Sequence, residues 1–431
     1  MVKPLPPVPP IKPPDFTEEV KALRRLQKLN DEKRQASAPR TVSSNGSRRI
    51  RRADLECVGR LGVGAFGVVT LEEDRRTGKT YALKAVSKGY LVQLRMVHAA
   101  LNEKRILRMV ESPFIVRLFT TYNGREHVYF LLEAALGGEL FTTYERLRLY
   151  GSERHARFYV GCVVEALVHL HDRGVIYRDL KPENLLLDSR GYCKLTDMGL
   201  AKVTNGPTYT LVGTPDYMAP EVINGTGHNQ AVDWWMLGVL LFEFMVGRPP
   251  FEADSADQVY ELVRRGIDRV HFPPECRHPA PELVRALCRA NPEARLCTPR
   301  LRRDLWFAGF DWAALREQRM QPPRVPTVRS QRDLSNFRTC DNHGDPPLVP
   351  YQDNGTNWDA GFEDDLIAEG RGGGSLQVPE QSTKGAPRSG TQAVPQPPAW
   401  AFTQTMAPKA AGAGQMGGCG LVPDPCIVHA I

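Results

Sequence analysis

Tyr177-Arg178-Asp179-Leu180-Lys181-Pro182-Glu183-Asn184 is followed, thirteen residues after Asn184, by Asp197-Met198-Gly199. An aspartate can take the proton of an incoming hydroxyl, and an asparagine with a second aspartate can hold a metal ion through oxygen. A base plus oxygen ligands for a metal is the equipment for moving a phosphoryl group from a nucleotide. Asp179 suits the first task, and Asn184 with Asp197 the second. Upstream lies Leu61-Gly62-Val63-Gly64-Ala65-Phe66-Gly67-Val68-Val69. Bare glycine backbone can approach phosphate oxygens that a Cβ would hold off. Such a fingerprint alone could equally open a dinucleotide-binding unit or form a tight turn. Here Val68 to Glu72 is β-branched and apolar. The segment therefore continues as a strand, where a dinucleotide site would begin a helix.

These groups need elements to hold them. Tyr81-Ala82-Leu83-Lys84 alternates apolar and polar positions and reads as a strand carrying Lys84 toward the phosphates. Leu101-Asn102-Glu103-Lys104-Arg105-Ile106-Leu107 has apolar residues at helical spacing, and Glu103 is the carboxylate that would match Lys84. Taken singly, a strand lysine is usually solvated, and a surface Glu–Lys pair contributes only a few tenths of a kcal/mol. Their occurrence in order beside the other motifs favours a common site. Val128 to Leu132 reads as a buried strand. Asp233-Trp234-Trp235 opens an apolar run to Val246 that contains Glu243. It falls short of the ~20 residues of a membrane span and reads as a buried helix.

The ordered motifs resemble the catalytic domain of protein kinases, with Tyr177 where most have His and Met198 where most have Phe. Gly213-Thr214-Pro215-Asp216-Tyr217-Met218-Ala219-Pro220-Glu221 is similar to the end of a kinase activation segment, with Arg295 standing where kinases pair an arginine with that glutamate. Tyr177-Arg178-Asp179, the Gly-Thr-Pro-Asp-Tyr stretch and Asp233-Trp234-Trp235 resemble the AGC group. The later Trp306-Phe307-Ala308-Gly309-Phe310-Asp311-Trp312, Ser335-Asn336-Phe337 and Trp358-Asp359-Ala360-Gly361-Phe362 resemble the tail of cyclic-nucleotide-dependent kinases, the cyclic-GMP-dependent type above all. The resemblance covers residues 53–362.

It implies an α+β, bilobal protein kinase fold, with a small β-rich N-lobe and a larger helical C-lobe. It divides the chain into an N-terminal extension (1–52), a catalytic domain (53–310), an AGC-type tail (311–362) and a low-complexity tail (363–431). It implies ATP and Mg2+, with Mn2+ as a substitute, and protein substrates. The catalytic set would be Lys84, Glu103, Asp179, Lys181 and Asn184, with Asn184 and Asp197 on the metal. Leu61, Gly62, Gly64, Gly67 and Val69 would cover the nucleotide. Ala82, Leu132 as gatekeeper, the backbone of Glu133 to Ala135, and Phe337 reaching back from the tail would enclose adenine. Glu139 would touch the ribose and a substrate arginine. Glu183 and Glu243 match further acidic residues of a basic-substrate pocket, beside Thr214. Thr210, four residues before Thr214, occupies the activating phosphosite, where a phosphate would pair with Arg178 and Lys202. Ala99 stands where the family has a helix histidine that contacts this phosphate. The alternative is a pseudokinase scaffold. Lys84, Asp179, Asn184 and Asp197 are all present and favour an enzyme, and Met198 can fill the space of a phenylalanine.

Composition agrees. At 431 residues with 42% hydrophobic content, the chain can build two lobes around a sizeable core. Nine cysteines with no C-x-x-C pair argue against a disulfide framework or zinc site and for a reducing compartment, the cytoplasm with access to the nucleus. No signal-like or membrane-spanning segment is expected. Val2 excludes myristoylation of residue 2, and the final Val428-His429-Ala430-Ile431 lacks a prenylation cysteine. Of the net charge of +7, residues 1–50 hold eleven Lys/Arg against five Asp/Glu. The excess is thus a basic N-terminal arm and not a nucleic-acid surface on the core. Residues 1–14 carry seven prolines and should be extended, and Val20 to Leu29 reads as a short amphipathic helix. Lys33-Arg34-Gln35-Ala36-Ser37 could be an autophosphorylation or inhibitory segment. Arg51-Arg52-Ala53-Asp54 looks like an inhibitory sequence, but abuts the first strand with too little slack to reach the cleft. Residues 1–52 are too short for a cyclic-nucleotide-binding barrel, so control is expected from a separate regulatory chain or another input.

Overall fold

β-Branched and small residues between 55 and 133 build a five-stranded antiparallel sheet. Its strands are β1 (Leu55–Gly64), β2 (Gly67–Asp74), β3 (Thr80–Ser87), β4 (Leu118–Asn123) and β5 (His127–Glu133), in spatial order β1-β2-β3-β5-β4. Two helices interrupt it, α1 (Lys88–Gln93) and α2 (Val97–Met109). The Ser87 hydroxyl caps α1 by accepting from the Tyr90 amide at 3.4 Å. This computed structural model describes residues 49–364 apart from 65, 66, 275, 338–348 and 354. The proline-rich arm, the expected helix over Val20 to Leu29, the Lys33–Ser37 motif, the tip of the glycine turn and the tail beyond 364 lie outside the described residues.

The helical lobe follows: α3 (Leu140–Leu147), α4 (Glu153–His171), α5 (Pro220–Ile223), α6 (Ala231–Val246), α7 (Ala256–Arg265), α8 (Ala280–Leu287) and α9 (Trp312–Arg316). Helix α6 is buried on every side from Val232 to Met245, which is why its sequence is apolar without a polar stripe. Short strands carry the loops between the lobes. β6 (Gly138–Glu139), β8 (Leu185–Leu187) and β9 (Cys193–Leu195) form one ladder, and β7 (Val175–Ile176) pairs with β10 (Lys202–Val203). The α+β class and the division into a β-rich and a helical lobe are as the sequence implies. No helix among the described residues is long and apolar enough to cross a membrane.

The strand expected at Tyr81-Ala82-Leu83-Lys84 is present as β3, and both of its faces are covered. Tyr81 and Leu83 join Tyr122 and Leu131 in a second small core, against which Ile50, Leu55 and Tyr129 pack. The Arg52 guanidinium lies 3.9 Å from the centre of the Tyr129 ring, and Ile50 O accepts from the Tyr122 hydroxyl at 2.9 Å. Residues just before β1 therefore close the outer face. Arg51 is held there too, donating twice to Asp54 at 2.8 Å, well away from the cleft.

The tail returns along both sides of the sheet. Asn336 donates its side-chain amide to Leu136 O and Thr327 O at 3.0 and 2.8 Å. Gly138 sits beneath it with φ +82°, and a Cβ there would meet Asn336 O at 2.5 Å, so only glycine serves. Farther on, Phe362 is fully buried against Phe130, edge to face at 5.4 Å, and Thr121 donates its hydroxyl to Phe362 O at 2.6 Å.

Candidate active site

Strand register positions the first charge. Lys84 faces Val69 on β2 and Phe130 on β5, while Ala82 faces Leu71 and Leu132. Residues two apart share a face. Ala82 and Lys84 therefore look into the same slot, which Leu61 and Val69 roof and Leu132 backs. Its walls are apolar, and its inner end carries Lys84, Glu103 and Asp197. Glu133, Ala135 and Phe337 line it from the hinge and the tail, so the tail phenylalanine does reach back into the slot.

At the inner end, Lys84 Nζ lies 2.9 Å from Glu103 Oε1 and 3.5 Å from Asp197 Oδ1. Burial pulls the lysine's pKa down, but the two carboxylates outweigh it and hold the ammonium charged well above its usual range. Asp197 is also buried, yet Lys84, the Gly199 amide and Lys181 keep its carboxyl below the usual range. Glu103 is raised, because burial exceeds the relief that Lys84 provides.

The catalytic-type loop hangs from a buried carboxylate. Asp233, at the head of α6, accepts from the amides of Tyr177 and Arg178 at 2.9 and 2.8 Å, and lies 2.7 Å from His171 Nε2. Arg178 and Asp197 both adopt the left-handed region, at φ +70° and +54°. Such backbone persists only where its surroundings fix it. Tyr177 donates its hydroxyl to Thr196 O at 2.6 Å, and Met198 is fully buried in the main core.

Asp179 is held from both sides. Asn184 donates to its Oδ2 at 2.8 Å, Thr214 donates to its Oδ1 at 3.2 Å, and Lys181 Nζ stands 3.4 Å from Oδ2. Burial raises the Asp179 pKa, as does the charge of Asp197, against the pull of Lys181. The Asn184 amide nitrogen is thus spent on Asp179, and its Oδ1 is buried with no hydrogen-bond partner. An orphaned buried oxygen near the Asp197 carboxylate fits a hard divalent cation that takes one or two protein oxygens and completes its shell with phosphates and water. Among the described residues no group of three His, Cys, Asp or Glu makes a self-sufficient metal site.

The acidic residues lie around this centre. Glu183 is half-buried on the turn Pro182–Asn184. Glu243 on α6 accepts from the buried Tyr217 hydroxyl. Glu139 accepts from Thr142 Oγ1 at 3.1 Å. Arg295 clamps Glu221 through two bonds of 2.5 and 2.6 Å, as the sequence implies. In the segment before Thr214, Thr210 is exposed, with Tyr209 and Leu211 beside it. Neither Arg178 nor Lys202 bonds it here. Arg178 donates Nε to Leu200 O at 2.8 Å and keeps Nη1 buried with no hydrogen-bond partner, and burial lowers its pKa to about 10. Lys202 Nζ meets Thr208 Oγ1 at 3.1 Å. Sequence reasoning missed the parts played by Asp233 and Tyr217. An aspartate heading an otherwise apolar helix was the available signal for Asp233.

A slot with a doubly countered lysine, a buried base-type aspartate and an asparagine oxygen without a partner defines a phosphotransferase of the protein kinase class. Residues 55–307 match the family "Protein kinase domain", and the chain belongs to it. Kinases of this family use ATP with a divalent metal ion and act on proteins. The chain is 42% identical over 325 residues to "cGMP-dependent protein kinase, isozyme 2 forms cD5/T2" of Drosophila melanogaster, covering 73% of this chain and 34% of that protein. It is 42% identical over 313 residues to "cGMP-dependent protein kinase egl-4" of Caenorhabditis elegans, covering 70% and 39%. It is 40% identical over 319 residues to "cGMP-dependent protein kinase 2" of Homo sapiens, covering 72% and 41%. The resemblance read from the sequence is therefore borne out, although the chain spans less than half the length of these relatives.

Proposed function

We propose that this chain is an active serine/threonine kinase that transfers the γ-phosphoryl group of magnesium ATP to proteins with arginines two and three positions before the acceptor. The observation that carries the reading is the convergence of the Lys84–Glu103–Asp197 triad with Asp179 and the free Asn184 oxygen in one cleft. A scaffold without activity has no use for that arrangement.

In this reading the acceptor oxygen attacks the γ-phosphorus, the bond to the β,γ-bridging oxygen breaks, and ADP leaves. Asp179 holds the acceptor hydroxyl and takes its proton, a role its raised pKa supports. Lys181 and Thr214 fix the Asp179 carboxylate and stand beside the transferred group. Lys84 holds the α- and β-phosphates, and Glu103 keeps it aimed. Asn184 and Asp197 would hold the metal ion, which when bound neutralises the phosphate oxygens. The apolar slot, with Phe337 at its edge, takes adenine. Glu139, Glu183 and Glu243 read the arginines, each through a charge-assisted pair. Phosphate on Thr210 would draw Lys202 and the spare Arg178 nitrogen together and order the segment. The enzyme works in the cytoplasm.

The test is phosphate transfer by the purified chain to a peptide with arginines at both positions and to one with alanines there. Loss of the arginines, or Glu243→Gln, should raise KM by an amount equivalent to about 1–3 kcal/mol. Added cyclic nucleotide should leave the rate unchanged. Equal use of both peptides, or a preference for acidic or proline-directed ones, would refute the substrate assignment.

A further inference from the structure

An open cleft of about 710 Å³ lies beyond the acidic residues, lined by Tyr150, Met245, Val246, Arg248, Pro273 and Arg277 among others. We propose that this cleft is a second substrate subsite, which takes an acidic side chain (carboxylate or phosphate) from the segment preceding the substrate's arginines. The proposal rests on the kinase reading above and on its assignment of Glu183 and Glu243.

Three observations carry it. First, the cleft adjoins the element that carries Glu243. Met245 and Val246 follow Glu243 by two and three residues on α6, and Gly151 donates its amide to Phe244 O at 3.0 Å. The Tyr150 hydroxyl is raised above its usual pKa by burial first, and then by the carboxylates of Glu243, Glu145 and Glu183. Tyr150 thus forms the wall of the cleft that lies within reach of those charges.

Second, the charge reverses across that wall. On the near side are carboxylates. On the far side are Arg248 and Arg277, both exposed, and neither side chain forms an ion pair or hydrogen bond with a described residue. The one described acid lining the cleft, Glu153, is already engaged by Arg157. Two guanidinium groups with no carboxylate partner among the described residues, in a cleft large enough for a side chain and its backbone, suit an anion.

Third, the order of the sites gives the direction. With the acceptor at Asp179 and the arginines at Glu183 and Glu243, a cleft next to the end of α6 receives the segment that precedes the arginines. Position six before the acceptor represents that segment in the test.

The test uses the full chain with magnesium ATP and four peptides. All share the arginine motif, and they carry alanine, aspartate, phosphoserine or lysine at position six before the acceptor. Aspartate and phosphoserine should each lower KM about five- to tenfold against alanine, about 1–1.4 kcal/mol, with kcat unchanged. A larger gain for phosphoserine identifies phosphate as the better occupant. In the double variant Arg248→Glu/Arg277→Glu the preference should invert toward the lysine peptide, a gain that misfolding cannot produce. An acid-independent KM in the wild-type enzyme, or an acid preference that survives the double variant, overturns the proposal. Loss of arginine dependence in the alanine peptide would instead overturn the underlying pocket assignment and this subsite with it.

Discussion

Glu103 and Lys104 are neighbours on α2, yet they serve opposite sides of it. Glu103 looks into the cleft, where Lys84 meets two carboxylates and Asn184 leaves an oxygen unbonded. Lys104 looks back toward the tail, donating to Gly361 O at 3.1 Å and to Phe362 O, and pairing with Asp364 at 3.1 Å. Lys88 completes that side by gripping Asp359 at 2.5 Å, and Thr121 donates its amide to Asp364 at 3.1 Å. Both sides bury lysines against carboxylates, but the back spends Lys88, Lys104 and Thr121 on oxygens of the chain's own tail. The front instead gathers two carboxylates on one lysine and leaves the Asn184 oxygen unbonded. Charges joined to the chain itself hold it together, while an orphaned acceptor beside surplus negative charge suits a bound cation. The difference teaches that α2 is a bridge, anchored behind so that Glu103 can be presented in front.

The largest expected effect would break the front. Lys84→Met removes the cation without opening a cavity. It should lower kcat by about a thousandfold, as loss of a preorganised electrostatic contact does. Circular dichroism should show the fold retained. Near-normal turnover by a purified variant would end the assignment. Next, Phe362→Ala should break the back. It empties a fully buried site and should cost about 3–5 kcal/mol of stability in denaturant titration. If α2 is a bridge, kcat should also fall, by about tenfold, equivalent to roughly 1.4 kcal/mol. A loss of stability with unchanged kcat would make the tail a passive cover. Thr210→Ala should act more weakly, reducing activity several-fold without affecting either side's lysine pairs. Full activity, together with mass spectrometry showing Thr210 unmodified in active enzyme, would remove it as a phosphosite.

The finest test is pH. Asp179 is raised by burial, so it keeps its proton to a higher pH than an ordinary aspartate. Activity should fall as pH drops through that raised value, while the protein is still folded. Asp359 behaves oppositely. Burial pushes it up, but Lys88 outweighs this and holds it below the usual range. A depressed carboxylate contributes stability that is full above its unfolded value and lost only as pH falls through the folded one. There should thus be an acid window in which the enzyme is inactive, its tail docked and its spectrum native. An acid limb at the ordinary aspartate value, about 4, would contradict the burial of the base.

What the sequence displays and what it hides follow from this division. Asp179, Asn184, Asp197, Lys84 and Glu103 were legible because transfer chemistry tolerates few residue types and the motifs keep their order. The strands β2, β3 and β5 and the buried helix α6 were legible from patterning. The back of α2 was not. Lys88 and Asp359 are 271 residues apart and of common type, so nothing local announces their bond. Asp233 was visible only as the start of an apolar run, and its three partners lie more than fifty residues upstream. The covered outer face of β3 was hidden because Ile50 and Arg52 belong to a basic stretch that reads as solvated arm.

Arg178 and Asp197 remain in left-handed backbone although neither is glycine. Such positions cost of order 1–3 kcal/mol each. Selection for heat resistance and selection for turnover would therefore pull apart at these two residues. A library screened only for thermal survival should enrich glycine or asparagine there, and survivors changed at Asp197 should be catalytically dead. Resistance gained at this loop is a warning sign for anyone engineering the chain, whereas resistance gained at surface helices is not.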